Sequence, residues 1–193
     1  MAIHIPEYNL TFIHVPKTGG SSIQHWLLNN TKDPIYPKKS VHWSVRDAKE
    51  NFKTVGKTFC VVRNPYDWMV SWFEYERKIT PQYLSRLNRI TKININKETY
   101  NRELLNKKQH ILNKGFKPYL LEYGIKILPQ HTWAYNVDII LRFEYLNDDF
   151  KKLFKHANLQ TINPTVRQAW PSYYDEESKK YVLDYFSKDF TFL

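Results

Sequence analysis

Short apolar runs, each ending in a turn and followed by an amphipathic stretch, recur along the chain. Leu10-Thr11-Phe12-Ile13-His14-Val15 is rich in strand formers. It leads through Pro16-Lys17-Thr18-Gly19-Gly20 into Ser21-Ser22-Ile23-Gln24-His25-Trp26-Leu27-Leu28, which reads as a helix. The pattern returns in Thr58-Phe59-Cys60-Val61-Val62, which breaks at Arg63-Asn64-Pro65 and continues as a helix through Asp67–Tyr75. A third run, Val137–Phe143, precedes Leu146–Ala157, where Leu146, Phe150, Leu153 and Phe154 fall on one helical face. Strands that read as continuous apolar runs are buried on both faces, so the alternation predicts an α/β fold with a parallel sheet flanked by helices. A last helix is predicted over Glu176–Lys188, with acidic residues in its first turn and Val182, Tyr185 and Phe186 on its buried side. The stretch from Ile79 to Asn113 is basic and weakly patterned and reads as helical with irregular joins.

A length of 193 residues with no internal repeat and no low-complexity linker predicts one domain over 1–193. No apolar run reaches the length of a membrane span, and Met1-Ala2-Ile3-His4-Ile5-Pro6 lacks the features of a signal peptide. The expectation is therefore a cytoplasmic protein with no membrane anchor. The single cysteine, Cys60, sits inside an apolar run and reads as a small buried hydrophobe. The net charge of +10 is concentrated: between Arg77 and Lys117 eleven Lys and Arg face two acidic residues, Glu98 and Glu103. This segment is either a solvated helical face or a docking surface for an anionic acceptor; no nucleic-acid module accompanies it, so nucleic acid is not the expected partner.

Two loops carry the candidate chemistry. A strand that turns through glycines into a helix offers backbone N–H groups and the positive end of a helix dipole to an anion. In the first loop Gly19 and Gly20 permit close approach, Lys17 adds a positive charge, and Thr18, Ser21 and Ser22 add hydroxyls. The lysine precedes the two glycines, unlike the GxxxxGK[ST] order of nucleoside triphosphate loops. A magnesium-dependent kinase would also need carboxylates at the end of the neighbouring strand, and that position holds Arg63. A guanidinium there, with Ser71 eight residues on, suits a terminal phosphate monoester held without metal.

His14–Ile23 resembles the loop that holds the 5'-phosphosulfate in sulfotransferases that use 3'-phosphoadenosine 5'-phosphosulfate (PAPS). Val62–Trp72 resembles their loop for the 3'-phosphate. Both match in order and spacing, and the nearest branch is that of carbohydrate sulfotransferases including heparan sulfate 2-O-sulfotransferase and its smaller bacterial and viral relatives. His42–Lys49, Leu141–Phe150 and Tyr173–Glu177 extend the similarity; it fades between Ile79 and Pro129, and Trp68 departs from it. The resemblance implies a P-loop-like sheet and transfer of a sulfonate from PAPS to a hydroxyl of a sugar or polysaccharide, leaving adenosine 3',5'-bisphosphate (PAP). It implies cofactor binding by Pro16, Lys17, Thr18, Gly19, Gly20, Ser21, Ser22, Arg63 and Ser71, with Arg167 as a further phosphate contact. The resemblance also implies that Lys17 reaches the oxygen bridging sulfur and phosphate.

For the general base a histidine suits neutral pH. His42, in Ser40-Val41-His42-Trp43-Ser44, matches the segment that holds the base in that branch. His14 reads as a packed strand residue, and His131 as either a cleft-lining or a loop residue. Trp43 and Trp133 are candidates to stack on a sugar ring or on adenine. No His, Cys, Asp or Glu set has the spacing of a metal site, and none is expected. The competing readings are a non-catalytic module of the same fold that binds a nucleotide or a sulfated glycan, and a P-loop kinase. A trimmed Golgi protein would be the exception to the cytoplasmic expectation.

Overall fold

The computed structural model describes residues 2–37, 42–89, 95–162 and 166–193; for 83–89 and 95–101 it describes the backbone only. Its chain divides into two compact units, Met1–Pro65 with Leu128–Pro164 and Phe186–Leu193, and Tyr66–Ile127 with Thr165–Tyr185.

The first unit is built on a four-stranded sheet in the order β1 (Ala2–Ile5), β2 (Leu10–Ile13), β3 (Lys57–Val62) and β4 (Ile139–Arg142). β2, β3 and β4 run parallel, with Ile13 opposite Cys60 and Val62 opposite Arg142, so their carboxyl ends lie at one edge. That edge is where ligands bind in open α/β sheets, because the loops that follow the strands converge there. β1 is an antiparallel addition, pairing Ala2 with Ile13 and Ile5 with Leu10.

Alternation along the strands sends side chains into two separate cores. Ile3, Ile5, Leu10, Phe12, Phe59 and Val61 pack on one face against Ile23 and Leu27 of α1 (Gly20–Asn30) and Phe150 of α7 (Leu146–Leu153). Ala2, Ile13, Cys60 and Val62 pack on the other face against Val45 and Ala48 of α2 (Val45–Asn51) and Trp133 and Ala134 of α6 (His131–Ala134). Each large apolar side chain buried in this way contributes about 1.5–3 kcal/mol. The sheet is thus covered on both faces, which is why its strands read as unbroken apolar runs. Cys60 is fully buried, and burial pushes its thiol up to about 12. The helix expected over Leu146–Ala157 ends earlier, at Leu153, with Phe154 extended as its C-cap; Leu146, Phe150, Leu153 and Phe154 all lie in or against the first core.

The second unit is helical: α3 (Pro65–Arg89), α4 (Ile95–Asn113), α5 (Phe116–Tyr123) and α8 (Glu176–Tyr185). Phe73 of α3 meets Phe116 and Tyr119 of α5 with ring centroids 5.5 and 5.4 Å apart. The expected helix over Glu176–Lys188 ends earlier, at Tyr185, and a 3-10 turn follows over Ser187–Phe192. Val182 and Phe186 are buried as expected, but Tyr185 is exposed and uses its hydroxyl to bond the Ile125 carbonyl at 2.6 Å.

Candidate active site

The loop from His14 to Gly19 joins β2 to α1 and is held in one shape by three devices. Lys17 and Gly19 both take left-handed backbone angles, φ 66° and 82°. The Thr18 hydroxyl is buried and donates to the Val15 carbonyl at 2.8 Å, so it closes the turn from inside. A Cβ on Gly20 would stand 2.0 Å from the His14 ring, so this glycine is required by close approach. Gly19 sits at the N-cap of α1 and makes no side-chain capping hydrogen bond. Ser21 is exposed in the first turn, while the buried Ser22 uses its Oγ to accept from the Ile162 N–H at 3.1 Å.

Arg63 follows the last residue of β3 and reaches across to this loop. Its Nη1 donates to the Lys17 carbonyl at 3.0 Å, and its guanidinium carbon lies 3.9 Å from the centre of the Phe143 ring, just beyond β4. The same ring lies 3.3 Å from where a Gly19 Cβ would be. Loops from three adjacent strands therefore meet at Arg63, which is only 8% exposed. A surface salt bridge, the ordinary role of such an arginine, does not describe it. Its backbone is also held, since Gln130 accepts from the Arg63 N–H at 2.9 Å and donates to the Arg63 carbonyl at 2.8 Å. Glu144 accepts from the next N–H, that of Asn64, at 2.8 Å.

His42 lies beside the loop between β2 and α1. Its Nδ1 donates to the His14 carbonyl at 3.1 Å, the two rings are 4.8 Å apart, and Trp133 Nε1 donates to the His42 carbonyl at 3.3 Å. A carbonyl only accepts, so Nδ1 carries the proton and the neutral ring has its lone pair at Nε2. Burial lowers the pKa of His42, partly opposed by the bond to His14, and that keeps the ring neutral at pH 7. His14 is lowered to about 3, by burial foremost and then by neighbouring positive charge that includes His42 and Lys17. It packs as expected, but against the loop itself. Behind His42 the helix α2 begins with a capping box, in which Ser44 and Asp47 exchange side-chain and backbone bonds. That Ser44-Val45-Arg46-Asp47 signature is the sequence signal for a helix the periodicity misses.

A family model described as "Sulfotransferase family" matches residues 2–193. The chain belongs to the sulfotransferase family. No curated protein and no solved structure matches it significantly.

Of the residues expected at the site of this sulfotransferase, the first unit brings together Pro16 to Ser22, Arg63 and His42. Ser71 and Arg167 lie in the second unit. There Ser71 is buried in the second turn of α3, and Arg167 pairs with the Asp67 carboxylate. His131 belongs to the first unit and gives its Nδ1 to the buried carboxylate of Asp189 at 3.0 Å. Trp43 packs on Phe52, and Trp133 is a core residue that touches His42. Sequence reasoning missed Gln130, Phe143 and Asp189 as supports of the site.

In the basic segment of the sulfotransferase, Arg77 pairs with Glu74, Lys107 with Glu122, Lys108 with Glu76, and Lys117 with Asp175 and Glu177. Much of its described charge is therefore answered by carboxylates of the second unit. The side chains of Arg86, Arg89 and Lys92 lie outside the described residues. Among the described residues no helix is long and apolar enough to cross a membrane, and no group of three His, Cys, Asp or Glu gathers as a metal site.

Proposed function

We propose that this sulfotransferase uses PAPS and transfers its sulfonate to a hydroxyl of a carbohydrate acceptor, in the manner of the branch that includes heparan sulfate 2-O-sulfotransferase. The observation that carries the reading is the bond from Arg63 to the Lys17 carbonyl, which sets a buried cation beside a glycine loop at the amino end of α1. Such a pair suits a ligand with phosphate groups at two ends. The residues present fit PAPS: the N-cap of α1 is a glycine without a side-chain capping bond, and backbone N–H groups at a helix start suit an anion. When bound, PAPS supplies the sulfonate and the leaving phosphate.

In this reading the loop amides, with Ser21 and Ser22, hold the 5'-phosphate, and Lys17 stabilises negative charge as it develops on the departing oxygen. Arg63 and Ser71 hold the 3'-phosphate, with Arg167 in support. His42 accepts the acceptor hydroxyl's proton at Nε2, the atom its bond to His14 leaves basic. PAP is the product. The test is transfer of labelled sulfonate from PAPS to a panel of sugars, polysaccharides and non-carbohydrate alcohols. Label in the carbohydrate fraction supports the reading. Label only in other acceptors overturns the carbohydrate assignment, and no transfer to any acceptor while PAP still binds favours a non-catalytic module.

A further inference from the structure

β3 ends at Val62, which pairs with Arg142, so the sheet ladder stops one residue short of Arg63. The Arg63 peptide groups are nonetheless paired, because the Gln130 amide supplies one acceptor and one donor to them. It acts as a side-chain surrogate for the missing strand partner, its oxygen accepting while its NH2 donates. Gln130 is 0% exposed, and its own N–H donates to Asp189 Oδ2 at 2.8 Å. Asp189, 1% exposed in the final 3-10 turn, also accepts from the His131 N–H at 2.8 Å and the His131 ring at 3.0 Å. A carboxylate buried this deeply is held in one geometry by its hydrogen bonds, so it fixes where residue 130 begins.

We infer that Gln130 is a positioning residue for the cofactor site: it fixes the backbone of Arg63 so that the guanidinium meets both the Lys17 carbonyl and the 3'-phosphate, and Asp189 holds Gln130 in turn. The chain of contacts runs from the C-terminal turn through Asp189, Gln130 and Arg63 to the loop at Lys17. It rests on the reading of Arg63 as a 3'-phosphate contact.

A misplaced Arg63 costs more affinity for ligands that carry a 3'-phosphate than for those that lack it, because the loop at Lys17 is also held by the Thr18 hydroxyl and its own left-handed backbone. Calorimetric titration of the full chain with PAP and with adenosine 5'-phosphosulfate, which lacks that group, therefore separates positioning from general loss of structure. Gln130→Met, similar in shape, is expected to weaken PAP about tenfold while adenosine 5'-phosphosulfate binds within about twofold of the unaltered enzyme. Added to Arg63→Ala, it is expected to weaken PAP no further, since nothing is left to position. Should Gln130→Met fail to fold, Asp189→Asn is read in the same way and is expected to lower the ratio of the two affinities. Equal losses for both ligands, or losses that add to those of Arg63→Ala, overturn the inference. If Arg63→Ala alone separates the ligands and the Gln130 and Asp189 variants do not, only the positioning role falls. If Arg63→Ala fails to separate them, the reading of Arg63 falls first and the inference with it.

Discussion

The guanidinium of Arg63 donates to the backbone carbonyl of Lys17 at 3.0 Å, so the cation that ends one strand closes the loop that ends its neighbour. Phe143, at the end of a third strand, lies under that guanidinium. The parallel order of β2, β3 and β4 makes this possible, because it brings their carboxyl ends to the same edge. The candidate site is therefore a consequence of sheet topology before it is a list of residues.

Removing Arg63 tests its double duty. Arg63→Ala is expected to weaken PAP at least about tenfold, the scale of a lost hydrogen bond to a charged group. Arg63→Lys is expected to recover little, since one ammonium cannot replace a planar fork that bonds the Lys17 carbonyl and, in the proposed site, a phosphate as well. Calorimetry on the two variants decides it, and full recovery by lysine contradicts the geometry.

Gly20→Ala reverses the usual sign of such a change. In a helix, alanine normally stabilises relative to glycine by about 0.5–1 kcal/mol, but here the new Cβ would stand 2.0 Å from the His14 ring. A loss of about 1–3 kcal/mol in urea unfolding is expected. His14→Ala combined with Gly20→Ala opens the space and is expected to recover most of it.

Acid sensitivity follows from His14. Its folded pKa of about 3 lies below the unfolded value near 6.5. The unfolded chain therefore binds more protons between those values, and stability rises with pH across that window. It is present in full above pH 6.5 and is lost as the pH falls. Between pH 6.5 and 5 the loss is expected to be about 2 kcal/mol, before most carboxylates titrate, and His14→Gln is expected to flatten that part of the curve.

The base assignment predicts a kinetic effect without a binding effect. His42→Ala is expected to lower kcat by about 10² to 10⁴, with PAP affinity unchanged. Because burial lowers the His42 pKa, the acidic limb of the wild-type pH–rate profile is expected below about 6.5, and it should vanish in the variant. A variant with near-normal kcat moves the base elsewhere, and His131, aligned by Asp189, is the next residue to replace.

The three parallel strands, their turns and the helices after them were legible because burial on both faces leaves an unbroken apolar signature. β1 was not: Ala2–Ile5 is four residues long, and His4 splits its apolar run before Pro6 ends it. At the site, the glycine loop, Arg63 and His42 carried local signals in residue type and spacing. Gln130 and Asp189 carried none, since their contacts to Arg63 and to each other span 67 and 59 residues of chain. Thr18 looked like an anion donor from its place in the loop, yet its hydroxyl is turned inward to Val15. Only the fold decides which of a loop's hydroxyls face outward.

The most direct test of the account is the thermal midpoint of the protein with no ligand, with PAP, and with ATP plus magnesium. A ligand that binds the native state raises the midpoint, and at about 100 times its Kd it adds roughly 2.7 kcal/mol. The account predicts a clear rise with PAP and little change with ATP and magnesium. A rise with ATP and magnesium alone, with PAP inert, would contradict it.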